Sequence, residues 1–249
     1  MARQTGPFKI SGTLGEINFF ITKGVGYSRK AGGGFNGFAI RTQDNMKRVR
    51  ENASEFGHCS RVKKQFRLAL LPFLNPRQNK TFHSRMMQVF LQIKALDAVS
   101  ERGKRRVNSG LQTEKGQQVL RQYEVTPKNP VLYALYKTTA FDWPSQTLRI
   151  TNFNPAGLKG IKTATHLGVT MGILDFDFDS LESTLAVSPT RFLEVGAGPS
   201  SFELVPDLLR PPAHTGIVLL GIRYYEIIAN EVYGLETLRG LQILEVHGL

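Results

Sequence analysis

A chain of 249 residues with 41% hydrophobic residues is long enough for one large or two small packed domains, and 21% charged with 10% aromatic residues exclude a disordered chain. The opening "MARQTGPFKI" has no apolar signal core, no run reaches the roughly 18 apolar residues of a membrane span, and the single cysteine excludes an intramolecular disulfide or a multi-cysteine zinc site. The net charge of +12 divides into +16 over residues 1–122 (23 Lys/Arg against 7 Asp/Glu) and −4 over residues 123–249 (9 against 13), so an anionic partner is expected only for the first half.

In chain order, Phe8–Ser11, Glu16–Thr22 and Val25–Lys30 read as short strands, separated by the turn chemistry of "GTLG" and "KG". Ile17, Phe19 and Ile21 alternate with Glu16, Asn18, Phe20 and Thr22, which predicts one apolar face. A two- or three-stranded meander of this kind needs a partner surface to be stable. "AGGGFNG" reads as a flexible hinge into helices.

Thr42 or Asp44 is a candidate cap for a helix to about Phe56, with Met46, Val49, Ala53 and Phe56 on its apolar stripe and Gly57 ending it. A second helix is predicted from about His58 to Leu71 on Val62, Phe66, Ala69 and Leu70, with Pro72 and Asn75–Pro76 as stops. A third, about Asn79 to Ser100, uses Met86, Val89, Phe90, Ile93, Leu96 and Val99. The expected product is a small antiparallel helical unit with basic outer faces. "ERGKRRVNSG" reads as a loop or linker, and "TEKGQQVLRQYEV" as one more short helix or strand. From about Asn129 short apolar runs recur between turn residues, starting at "PVLYALYK" and ending in a hairpin that turns at "ANE". This spacing predicts an antiparallel sandwich of roughly seven or eight strands, immunoglobulin-like or jelly-roll-like. The fold class expected is therefore α+β, with residues 1–122 as a basic meander and helical unit and residues 123–249 as the sandwich.

The motifs exclude most chemistries. The glycines of "GTLGEINFFITKGVG" and Gly32–Gly34 precede no GKS or GKT, and Gly196, Gly198 and Pro199 lead into another strand-like run, so no phosphate loop is predicted. "DFDFD" sets Asp175, Asp177 and Asp179 about 7 Å apart on one strand face, which either blocks edge pairing by charge or helps hold a hard cation. His58, His83, His166, His214 and His247 show no metal-helix spacing, and Cys59 beside His58 points about 100° away from it on a helix, so an inert thiol is expected. No serine-hydrolase signature is present.

The strongest candidates for contact are cations: Arg41, Lys47, Arg48, Arg50, Arg61, Lys63, Lys64 and Arg67, then Lys104, Arg105 and Arg106. Lys and Arg neutralise phosphates without reading sequence, which suits such clusters. The same residues can instead meet the acidic half of a neighbouring copy, or form a solvated face with no dedicated partner.

The stretches "GTLGEINFF", "GYSRKAGGG" and "RENASEFG" carry a resemblance. With "HTGIVLLGIRYYEIIANEVYGL" near the C-terminus, they resemble a family of uncharacterised, signal-less Bacteroidota proteins patterned GTIGxxxFY, GYxxRxKGG, RxxENxxEFG and LGIEFYQE. The positions that match include Gly12, Gly15, Phe19, Phe20, Gly26, Tyr27, Arg29, Arg50, Glu51, Asn52, Glu55, Phe56, Gly57, Gly221, Tyr224, Tyr225 and Glu226, while Cys59 departs from the pattern. The resemblance implies no activity. The start is also loosely similar to that of some phage-encoded structural proteins. Composition and motifs together predict a non-enzymatic structural or assembly protein, cytoplasmic or within a virion-like particle, that forms a homo-oligomer or larger assembly. Its basic arm is expected to touch nucleic acid or a neighbouring subunit, and the alternative is a sequence-nonspecific nucleic-acid-binding protein. No cofactor, metal, membrane insertion or small-molecule substrate is expected.

Overall fold

The structure, a computed structural model, describes residues 1–32, 37–74, 81–157, 164–209, 211–229 and 231–248. It is α+β and divides into two compact units, Met1–Ala53 and Ser54–Leu249. The boundary expected near residue 122 falls inside the second unit, because residues between Cys59 and Val125, most of them helical, share one apolar core with the C-terminal sheet.

The first unit carries β1 (Ala2–Arg3), β2 (Gly12–Leu14), β3 (Ile17–Thr22) and β4 (Val25–Lys30) as an antiparallel sheet in the order β1-β4-β3-β2. Lys23 and Gly24 join β3 to β4 with φ of 50° and 77°, the two positive angles of a tight hairpin turn. Phe8–Ser11 is not a strand. The Gln4 side chain accepts from Ile10 N (2.8 Å) and donates to Ile10 O (3.1 Å), taking the hydrogen bonds that a ladder would use. The predicted alternation holds, yet Leu14, Ile17 and Ile21 face solvent. On the other face Phe20 stacks on Tyr27 at 5.8 Å, with Arg29 over Phe20. Residues 33–36 of the expected hinge lie outside the described residues, and α1 (Gly37–Thr42) begins directly after them. Thr42 donates to Phe38 O rather than capping a helix, and a 3-10 turn at Asp44–Met46 intervenes.

The two helices expected on either side of Gly57 are one, α2 (Lys47–Ala69). Gly57 keeps helical geometry, so it costs some propensity without breaking the ladder. The buried stripe is Glu55, His58, Cys59, Val62 and Phe66, at steps of three and four, and it leaves Ala53 and Phe56 of the expected stripe exposed. α3 (Phe82–Ala95) ends earlier than expected, with Val99 beyond it in solvent, while Asn79 and Lys80 of the expected start and the Asn75–Pro76 stop lie outside the described residues.

Among the described residues three further helices follow, two in the core of α2 and α3 and the last in the core of the smaller sheet. In α4 (Val107–Leu111), Gly110 packs so tightly on α3 that a Cβ there would lie 2.0 Å from Ile93 O. The "ERGKRRVNSG" segment is thus a packed corner, not a linker. Thr113 caps α5 (Glu114–Arg121) by accepting from Gly116 N at 3.0 Å. "PVLYALYK" forms α6 (Pro130–Thr138) and not a strand. Asn129 Oδ1 accepts from Val131 N and Leu132 N, Pro130 takes the first helical position, and Val131, Leu132 and Leu135 make the apolar stripe.

Among the described residues eight strands follow in two antiparallel sheets. β5 (Thr139–Asp142), β6 (Thr147–Phe153) and β10 (Ser200–Leu204) form the smaller, in the order β10-β6-β5. β7 (His166–Phe176), β8 (Ser183–Val187), β9 (Arg191–Glu194), β11 (Thr215–Ile228) and β12 (Glu231–His247) form the larger, in the order β12-β11-β7-β8 with β9 also on β7. The predicted hairpin joins β11 to β12, with Ile228 opposite Glu231 and Ala229 at φ 50°. Val169, Met171, Val218 and Leu220 bury one face of the larger sheet against Leu148, Ile150 and Leu204 of the smaller. Leu174, Phe176, Ile217 and Leu219 bury the opposite face against Phe66 and Phe90 of the helices. The larger sheet is therefore covered on both sides, which is why "GIVLLGI" runs apolar without alternation.

Candidate anion-binding groove

The outward side of α2 in the second unit carries Arg61, Lys63, Lys64 and Arg67. Together with Phe56, Gly57, Ser60 and the exposed His83 of α3, they line an open groove of about 560 Å³. Lys63 and Arg67 stand one turn apart at i,i+4, while Arg61 with Lys64 and Lys64 with Arg67 stand at i,i+3. Like charges at these spacings repel by a few tenths of a kcal/mol per pair. Among the described residues none of these four makes an ion pair. The helix thus holds a repulsive row that an anion lying along it would relieve. Val62 and Phe66, fully buried on the opposite face, fix the row's orientation. Phe56 is 55% exposed and adds an apolar side chain to the groove.

The other predicted contact residues are placed differently. Arg41 and Lys47 are exposed in the first unit, and Arg48 lies 3.8 Å from Glu51. Arg50 donates to Ile40 O (2.6 Å) and Gln43 O (2.8 Å), tying α1 to the start of α2. Lys104 pairs with Glu101 at 3.0 Å. Arg105 turns inward, whereas Arg106 stays exposed and brings one guanidinium nitrogen to His58. The buried Glu55 carboxylate accepts from Arg105 Nε (2.8 Å), Arg105 Nη2 (2.9 Å), Gly103 N (2.8 Å) and the buried ammonium of Lys94. The Arg105 hydrogen bonds, then Lys94, hold the Glu55 carboxyl down at about 2 against the pull of burial. Burial would raise the neighbouring Asp97, yet the backbone N–H groups of Ser100 and Arg106 hold it down at about 2. Arg106 lies 3.2 Å from His58 Nδ1, and His58 Nε2 accepts from Val107 N at 3.1 Å. Burial first, then the charges of Arg106 and Arg61, lower the His58 pKa.

The Cys59 thiol donates toward Phe90 O at 3.6 Å, and burial pushes it up to about 11, far from a nucleophile. The acidic alternation ends β7 as a set of turn caps. Asp175 accepts from Ala213 N and His214 N, Asp177 from Asp179 N, and Asp179 from the Asn108 side chain. Among the described residues no group of three or more His, Cys, Asp or Glu side chains is placed to hold a metal ion. Also among them, no helix is long and apolar enough to cross a membrane.

His83 and Phe56 were not legible as groove residues. His83 sits alone in the sequence and reaches the groove only because α3 packs beside α2, and Phe56 reads as core until Gly57 is known to continue the helix. Comparison with family models, with curated proteins and with solved structures found no match.

Proposed function

We propose that the protein is a non-enzymatic, sequence-nonspecific nucleic-acid-binding component of a larger assembly, in which the α2 groove lies along a phosphate backbone. The observation that carries this reading is the row of four cations at one-turn spacing with no ion-pair partner among the described residues. A phosphodiester backbone supplies repeated single charges and asks for no base-reading geometry, which matches a row of Lys and Arg on a helix face. Fluorescence anisotropy with a labelled oligonucleotide, titrated against salt, tests it. Four neutralised phosphates predict a slope of about −3 to −4 in log K against log salt. No binding at low salt, or a slope near zero, removes the reading.

Self-association is favoured by a separate observation in the first unit. Leu14 and Ile17 are cross-strand partners, and with Ile21 they expose an apolar patch on one face of the meander. A second copy covering that face would give a homo-oligomer or a particle of the virion-like kind. Light scattering on the purified chain at high concentration tests it, and a strict monomer contradicts it.

A further inference from the structure

A second cavity, of about 490 Å³, opens beside the end of α5, the start of α6 and β12, and shares no lining residue with the α2 groove. Its volume lies within the range of small-ligand sites. Two tyrosines one turn apart on α6, Tyr133 and Tyr136, line it at 63% and 46% exposure, while Val131, Leu132 and Leu135 of the same helix fill the core. Lys137 lies 4.3 Å from the Tyr133 ring centroid. Gln122 and Gln242 add amides, which both donate and accept. The Gln122 side chain makes no hydrogen bond among the described residues, and Gln242 donates only to the adjacent Ile243 O, at 3.2 Å. Lys128, at φ 57°, is a non-glycine residue held in the left-handed region on the cavity wall, directly before the Asn129 cap.

Charge decides the ligand class. Arg121 is paired with Glu245 at 3.3 Å, and Lys128 is offset by Glu124 on the same wall. Lys137, outside the lining, is held against the Tyr133 ring, so the lining itself is close to neutral, unlike the α2 groove, and offers little to a phosphate or carboxylate. The Tyr136 ring and the part of Tyr133 that Lys137 leaves open, beside neutral amides, suit a ligand with an apolar C–H face and a rim of hydroxyls. We propose that this cavity binds a neutral carbohydrate, with a pyranose ring against Tyr133 or Tyr136 and its hydroxyls on Gln122 and Gln242.

Saturation-transfer NMR on the full chain tests the proposal with maltohexaose, cellohexaose and chitohexaose, and with ATP as the anionic comparison. At least one oligosaccharide is expected to receive saturation, ATP not to displace it, and Tyr133→Ala with Tyr136→Ala to weaken binding at least tenfold. The double Tyr→Phe variant, which keeps both rings, is expected to retain binding. Both tyrosines are exposed, so circular dichroism of the Ala variants should match the parent chain. Absence of transfer from all three oligosaccharides overturns the proposal, as does transfer unchanged in the double Ala variant, or ATP displacing the sugar. Groove variants that abolish nucleic-acid binding are expected to leave saturation transfer unchanged.

Discussion

Arg105 grips Glu55 at two points, Nε to Oε1 at 2.8 Å and Nη2 to Oε2 at 2.9 Å, and so fastens the corner after α3 to the middle of α2. Lys94 of α3 reaches the same carboxylate, so three segments meet on one buried charge. Removing that charge leaves two cations facing each other with no anion between them. Glu55→Gln is expected to lower stability by about 3–5 kcal/mol in urea unfolding. Glu55→Leu combined with Lys94→Met should lose less than Glu55→Gln alone, because it removes a buried cation together with its partner. A loss below about 1 kcal/mol for Glu55→Gln would contradict the arrangement.

The same cluster makes the fold sensitive to acid in two stages. His58 is held below its usual 6.5 by burial and then by the nearby Arg106 and Arg61, so below pH 6.5 the unfolded chain takes a proton that the folded chain refuses. Stability should therefore begin to fall as pH drops through 6.5. Glu55 and Asp97 are both held near 2, below 4.5 and 3.8. Their contribution is fully present above pH 4.5 and is lost as pH falls from there toward 2. Thermal unfolding across pH 8 to pH 3 checks this: Tm should be level above pH 7, decline near pH 6, and decline again below pH 4.5. Glu55→Gln should flatten the lower stage.

Gly57 sits within α2 with helical φ and open space where a Cβ would stand. Gly57→Ala is expected to stabilise the protein by about 0.5–1 kcal/mol through helix propensity and a less flexible unfolded chain. Calorimetry should show a raised Tm. A lowered Tm would mean that the glycine is required where it stands.

Gly221 is the opposite case. A Cβ there would lie 2.3 Å from Phe73 Cδ1, and one at Gly172 on the neighbouring strand would lie 2.8 Å from Phe73 Cζ. These two glycines form the seat for the Phe73 ring. Gly221→Ala is expected to destabilise by about 1–3 kcal/mol through overpacking, and Phe73→Leu in the same chain should recover part of the loss. Additive losses in the double-mutant cycle would argue against direct contact.

Charge reversal in the groove separates binding from folding. Lys63→Glu with Arg67→Glu replaces a like-charge i,i+4 pair by another, so Tm should move by less than about 1 kcal/mol equivalent. Affinity for an oligonucleotide is expected to fall at least tenfold at low salt, and the salt slope to shrink by about 2 or more. The double Arg48→Glu and Lys104→Glu variant, outside the groove, should leave the slope nearly unchanged.

Several features were local enough to read along the chain. Turn glycines and alternation placed β3 and β4, the charge split marked the basic half, and the texture from about Asn129 announced antiparallel strands, although its first run proved helical. Each rests on spacing between near neighbours, which a sequence displays directly. Tertiary contacts decided the rest. Gly57 looks like a helix end, but the stripe from Glu55 to Phe66 packs on α3 and the sheet, and that burial outweighs one residue's propensity. "PVLYALYK" has strand-like residues, yet the Asn129 cap and a core open to one helical face make it α6. Arg105 resembles Lys63 and Arg67 in composition, and only the position of Glu55 turns it inward, while Arg106 stays exposed beside His58. The number of cations is a property of the sequence. Which of them remain available to an anion is set by where the fold places the carboxylates.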